Sequence, residues 1–401
     1  MLREVLYFED VVYRLESLMV YAKISNDEVL RALSELSATI AGGKSREEMT
    51  SKYYIFAKGL LARAEKMGFS GHLLKQHALH LFLTDVNALS IACNNGVDVK
   101  NSTLWKMALK DMGVLQYLMD FDLQNLCDNA GYGEKLYDYT PVTPKEYPEL
   151  EQMSGLQKGQ ELLDKLAWCY TNMGCGDLIG ASMFRADGNG GFVPVRSHRE
   201  TTFADISGYK QQIEEIKVNT EAFLKGKPAH TLLLTGSPGI GKYACLSALA
   251  DKYADKGLKL VEIGKDSFKH IDKLLAELSP LRNKFILIAD GLSADDIAAD
   301  YDQLKYCLGA SLEARPKNVL FYATGSHDYP TRYFDEVIEF GEMTEDEFKE
   351  SVAVIAKKMK VQWDMDSLKK HSLEWVADKH ERSAATARDF VNHFIWQMGQ
   401  S

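Results

Sequence analysis

Over 1–182, apolar positions recur at the three-and-four spacing of amphipathic helices. Leu6, Val11, Leu15 and Leu18 form one set, Val29, Leu30, Leu33 and Leu36 a second, and Tyr54, Phe56, Leu60 and Leu61 a third. Asn26-Asp27-Glu28 and Ser45-Arg46-Glu47-Glu48 are helix-opening signals, each with acids in the first turn. Gly68 and Gly71 interrupt the pattern before a helix over 72–83, and others follow over 100–120 and 156–173. The spacing predicts an all-α N-terminal domain of roughly six or seven helices. Over 129–151 the pattern lapses into a proline- and tyrosine-rich ordered loop. Asp187-Gly188-Asn189-Gly190-Gly191, between short apolar arms, predicts a hairpin, and 183–202 reads as a linker at the domain junction.

From Phe203 onward, short apolar runs alternate with helical segments. Strands are expected at 232–234, 258–263, 284–290, 318–324 and 337–340, with helices at 210–225, 268–278 and 301–314 and one after the first strand. Such alternation predicts an α/β domain with a parallel sheet over 203–341. Helical spacing returns over 342–401, after a capping-box start at Thr344 and Glu347, and predicts a small helical lid.

Composition narrows the function classes. The chain has 401 residues, net charge −10 and 46% hydrophobic residues. That acidic balance argues against general nucleic-acid coating and against an anionic-membrane binder. Six scattered cysteines form no Cys-x2-Cys pair, so reduced thiols are expected. His77 and His80 lie three apart with no third ligand nearby, and read as a packed or exposed helical pair. The N-terminus lacks the continuous apolar run of a signal peptide, and no apolar stretch has membrane-spanning length. A soluble, cytoplasmic protein is expected.

The chemistry concentrates at 231–243, TLLLTGSPGIGKY. An apolar strand runs into Gly236, Ser237, Pro238, Gly239, Ile240, Gly241 and Lys242, and a helix follows. This is the layout of a phosphate-binding P-loop. Glycines let backbone N–H groups converge on an anion, and the next helix adds unpaired N–H groups and a positive dipole end. Lys242 supplies a point charge for the terminal phosphates. The following position, where a short Ser or Thr hydroxyl ligates Mg²⁺, is Tyr243, whose hydroxyl sits too far along its ring. Asp290 ends the third strand and is the candidate catalytic and Mg²⁺-holding acid, acting through water. Gly291 follows it where a second acid is common, and Asp295 and Asp296 read as a solvated helix start. Thr324 is placed to sense a terminal phosphate, and Arg382 and Arg388 to reach phosphate from the lid.

Several segments in order carry a resemblance: FRADGNGGFVPV at 184–195, the lead-in over 205–236, FILIADGLS at 285–293, LEARPKNVLFYATGS at 312–326 and ERSAATARDFV at 381–391. Over 184–388 the chain resembles domain-of-unknown-function family 815, predicted ATP-binding proteins of AAA-like P-loop type. The resemblance implies an AAA-like sheet with a helical lid and ATP or ADP as ligand. It implies a site made by the P-loop and Asp290, with Ile206, Gly208 and Tyr209 lining the base pocket. Departures surround that pocket: Tyr243, Gly291, the altered run Gly325-Ser326-His327 after Thr324, and a displaced arginine for which Arg332 is the nearest candidate. Together they predict impaired hydrolysis and a weak or dispensable Mg²⁺. The first expectation is a nucleotide-dependent switch or scaffold that engages a protein partner through its helical half. An active AAA-type ATPase remodelling a partner, and an interaction protein on a relic P-loop fold, are the alternatives. An oligomer is possible, and a nucleic-acid partner is disfavoured.

Overall fold

The structure is a computed structural model. It describes residues 2–130, 136, 138–145, 147–195, 201–206, 208–292, 304–305, 307–308, 315–326, 333–361, 363–377 and 381–398, without the side chains of 2–7, 9 and 292. Asp295, Asp296, His327, Arg332 and the Leu6 side chain lie outside the described residues, as does most of the helix expected over 301–314. The chain divides into two compact units, Met1–Ile179 and Gly180–Ser401.

The first unit is all helical. Its described helices are α1 (Leu2–Glu16), α2 (Glu28–Ala41), α3 (Arg46–Met67), α4 (Leu73–Thr84), α5 (Ala88–Asn94), α6 (Thr103–Met119), α7 (Leu123–Ala130), α8 (Pro148–Ser154) and α9 (Gly159–Met173). More form than the periodicity called for. The short ones, α5, α7 and α8, span about two turns, too few to print a periodic stripe. Asp27 and Ser45 cap α2 and α3 as their sequence context predicts. His77 is a core residue: its Nε2 lies 2.8 Å from an Asp27 carboxylate oxygen. The buried Asp111 carboxylate, on α6, accepts backbone N–H groups from Met19, Val20 and Tyr21 at 2.8–3.1 Å. Those three donors emerge where α1 ends and have no helical partner, so one side chain fixes the turn to the core.

The second unit is built on one seven-stranded sheet. Its strands are β1 (Met183–Ala186), β2 (Phe192–Pro194), β3 (Leu232–Gly236), β4 (Leu258–Glu262), β5 (Lys284–Leu292), β6 (Val319–Gly325) and β7 (Glu336–Phe340), in the order β2-β1-β4-β5-β6-β3-β7. All neighbours are parallel except β1 and β2. Helices α10 (Lys210–Leu224), α11 (Lys242–Lys252) and α12 (Ile271–Leu278) connect the strands, and α13 (Glu345–Lys358), α14 (Met365–Ala377) and α15 (Ala384–Met398) form the lid. The lid shares the core of the sheet: Phe348, Val352, Leu368 and Val391 are buried in one cluster with Leu232, Leu234 and Ile338. Among the described residues, no helix is long and apolar enough to cross a membrane.

The hairpin expected as a linker over 183–202 is corrected. β1 lies parallel to β4, pairing Phe184 with Val261 and Arg185 with Glu262. Phe184 is buried, and the Phe192 ring packs edge-on against Phe184 and Phe285. Without the hairpin, the buried strand β4 would end the sheet with its backbone unpaired.

Parallel pairing brings the carboxyl ends of β3, β5 and β6 to one edge. Leu234 sits opposite Thr324, and Ala323 opposite Ala289. On the other side of β3, Gly236 lies against Phe340 of β7, at φ 144°. A Cβ on Gly236 would stand 2.4 Å from the Phe340 carbonyl oxygen.

Two outcomes test this account. Asp111→Ala orphans three backbone donors and is expected to lower the stability of the first unit by about 3 kcal/mol in urea unfolding. Gly236→Ala is expected to cost about 2–4 kcal/mol and to raise amide exchange in the second unit, leaving protection in the first unchanged. An unchanged urea midpoint for Asp111→Ala contradicts the first assignment, and unchanged exchange for Gly236→Ala contradicts the second.

Candidate phosphate-binding site

The loop after β3 is shaped by backbone geometry that glycine alone adopts readily. Gly239 and Gly241 have φ of 79° and 117°, and Gly241 caps the start of α11. Ile240 is fully buried and anchors the loop, while Pro238, Gly239 and Gly241 line a cavity of about 550 Å³. Lys242 opens α11, and its Nζ donates to the carbonyls of Gly236 at 2.6 Å and Ser237 at 2.9 Å. Its ammonium therefore lies across the mouth of the loop, at the Ser237 end. Burial holds the Lys242 pKa below the ordinary lysine range, and the Asp290 and Glu381 carboxylates oppose that shift.

Across the cavity, Thr324 joins the end of β6 to the end of β5. Its hydroxyl donates to Asp290 Oδ1 at 2.5 Å and accepts from the Gly291 N–H at 2.9 Å. The β5–β6 register is interrupted here, and Gly291 has φ 67°. The position where a second acid is common thus sits in a left-handed kink, a conformation that favours glycine. Asp290 is the only carboxylate among the described residues lining this cavity. Among the described residues, no group of three or more His, Cys, Asp or Glu side chains is arranged to hold a metal ion.

Tyr243 is half-buried against the core and lines two cavities, the one above and a neighbour of about 440 Å³. Burial, then the Glu262 and Asp290 carboxylates, push its phenol above the ordinary range. Ile206, Ser247 and Ile355 also line the second cavity. Two ion pairs border it, Arg185–Glu262 at 3.2 Å and Lys358–Asp205 at 2.8 Å. Arg388, exposed on the lid, faces both cavities.

Gly208 and Tyr209 line neither cavity. Tyr209 is buried on Phe340 at a ring-centroid distance of 4.9 Å, and its hydroxyl donates to the Gly341 carbonyl at 3.0 Å. Gly208 faces Met343 and Glu347. Both residues tie the approach to α10 onto the start of the lid. Arg382 does the same from the other direction: its Nε donates to the Met343 carbonyl at 2.7 Å, and it pairs with Glu342.

Sequence reasoning missed Glu381. Its carboxylate accepts from the Ser237 hydroxyl at 3.0 Å, although 144 positions separate the two. It also missed that the Ala385 N–H donates to the Gly239 carbonyl at 3.2 Å, closing the lid helix on the loop. Small residues such as Ala384 and Ala385 carry no chemical signal. The other side of the second cavity was hidden because Arg185 lay in the supposed linker.

The chain is 29% identical over 82 residues to the large subunit of replication factor C from Thermococcus kodakarensis, covering 20% of this chain and 16% of that one. Among solved structures it is similar to a point variant of RuvB from Thermotoga maritima, with 16% identity and TM-score 0.36 over 48% of this chain and 64% of that one. It is also similar to C. elegans PCH-2, with 12% identity and TM-score 0.32 over 50% and 72%. The chain thus spans less than two thirds of the first two. The family described as protein of unknown function (DUF815) matches residues 179–328 and 331–398, more than half of the chain, taking in the hairpin, the P-loop, Asp290, Thr324 and the lid. By that match, the chain is a member of the DUF815 family.

Proposed function

We propose that the chain binds a nucleotide, ATP or ADP, at the P-loop and uses it as a switch or scaffold with little or no hydrolysis. The carrying observation is the pairing of an intact cradle with an altered catalytic edge. The positive-φ glycines Gly236, Gly239 and Gly241, with Lys242 and the N-terminus of α11, form an anion site. Asp290, Thr324 and Gly291 bond to one another instead of presenting a second acid. The residues fit the phosphates better than they fit a resident metal. Asp290 is a suitable oxygen ligand, but the neighbouring helix start offers the Tyr243 ring instead of a short hydroxyl. Magnesium is therefore weak or dispensable in this reading.

Ile206, Tyr243 and Ile355 give the second cavity a semi-apolar lining suited to a base, and Arg388 spans the two cavities. The helical unit is the proposed protein-binding part. Its exposed Tyr13, Ile55 and Trp168 offer anchors of the kind that interfaces bury. Six cysteines, five of them buried and none in a disulfide, fit a reducing, cytoplasmic setting. Assembly through the AAA-like unit is compatible with this reading.

Calorimetric titration with ATP, in magnesium and in EDTA, tests it. Saturable binding that changes less than about twofold between the two conditions is expected, and Lys242→Ala is expected to abolish it. Tyr243→Thr is expected to make magnesium tighten binding by about tenfold. Absence of heat at millimolar ATP would sink the nucleotide reading. Phosphate release by the parent chain at about 1 s⁻¹ or faster would replace the switch by a working ATPase.

A further inference from the structure

We infer that Glu381 is a specificity-determining residue that makes the P-loop favour a nucleoside diphosphate over a triphosphate. The inference rests on the nucleotide reading above. A P-loop lysine serves the terminal phosphates. Here the Lys242 ammonium sits on the carbonyls of Gly236 and Ser237, so the Ser237 end of the cradle is the terminal-phosphate end. Glu381 is bonded to the Ser237 hydroxyl at that same end. Its carboxylate is close enough to Lys242 to act on the ammonium's ionisation, alongside Asp290.

The main chain that carries this exposed side chain is held by its neighbours. Thr386 Oγ1 donates to the Glu381 carbonyl at 2.9 Å, and the Met343 N–H donates to the Arg382 carbonyl at 2.9 Å. The Arg382 N–H donates to Glu342 at 3.1 Å, and Ala385 is joined to Gly239. Glu381 thus lies on a strap fixed both to the lid and to the loop.

Charge decides which ligand such an edge accepts. Asp290 and Glu381 both act on the Lys242 ammonium, so its charge is partly offset by carboxylates before any phosphate arrives. An added terminal phosphate brings further negative charge toward both carboxylates. The usual remedy is a divalent cation bridging the terminal phosphates, and Tyr243 withholds one of its ligands. A diphosphate avoids the conflict.

The test is the dissociation constant of ADP and of ATP for the full chain in EDTA, by calorimetry, for the parent and for Glu381→Gln. Glutamine keeps the shape and an acceptor for Ser237 but removes the charge. The parent is expected to bind ADP about tenfold tighter than ATP. Glu381→Gln is expected to tighten ATP by about tenfold while ADP changes less than about twofold. Ser237→Ala, which frees the carboxylate without removing it, is expected to give an intermediate ratio. Binding of both nucleotides with the same ratio in parent and Glu381→Gln overturns this inference and leaves the nucleotide reading standing. Failure of parent and variant alike to bind either nucleotide overturns both.

Discussion

The close approach of β3 to β7 is the constraint on which the second unit depends. Gly236 must pass the Phe340 carbonyl at a distance no side chain permits, and it must do so at positive φ. Only then can the chain leave a fully buried central strand and turn back over its own end. The turn exposes backbone N–H groups that the sheet no longer uses, and the start of α11 adds more. The cradle on which the proposed anion site rests follows from how this buried parallel strand ends, and Lys242 is the first residue beyond that turn.

Around this cradle, polar groups satisfy one another. Lys242 bonds to loop carbonyls, Thr324 closes a circuit with Asp290 and Gly291, and Ser237 meets Glu381. Each contact lowers the cost of holding polar groups at a partly desolvated edge. The kink at Gly291 adds a conformational constraint: a side chain there would have to adopt a left-handed backbone. The residues around the pocket therefore form one connected arrangement of charge and backbone geometry.

Beyond the pocket, the lid and the hairpin complete the unit by burial. Tyr209, Gly208 and Arg382, each legible as a possible ligand contact, are joints between the sheet and the lid. The hairpin β1–β2 covers β4 and brings Arg185 to the second cavity. In the first unit, Asp111 plays a comparable part without any ligand, holding three backbone donors in the core.

The sequence by itself determined the features whose causes are local. The five core strands are short, largely apolar runs, and the glycine spacing, Lys242, Asp290 and the Thr344–Glu347 cap sit in short segments, so all were legible before folding. The hairpin turn was legible too, but not its destination, because the few residues of β1 carry no record of the strand they pair with. Tertiary structure decided which candidates meet. It placed Thr324 on Asp290 through the β5–β6 register, moved Tyr209 into the core, and set Glu381 beside Ser237. Those outcomes depend on contacts between residues far apart in the chain, where pattern and spacing lose their force and packing chooses the partner.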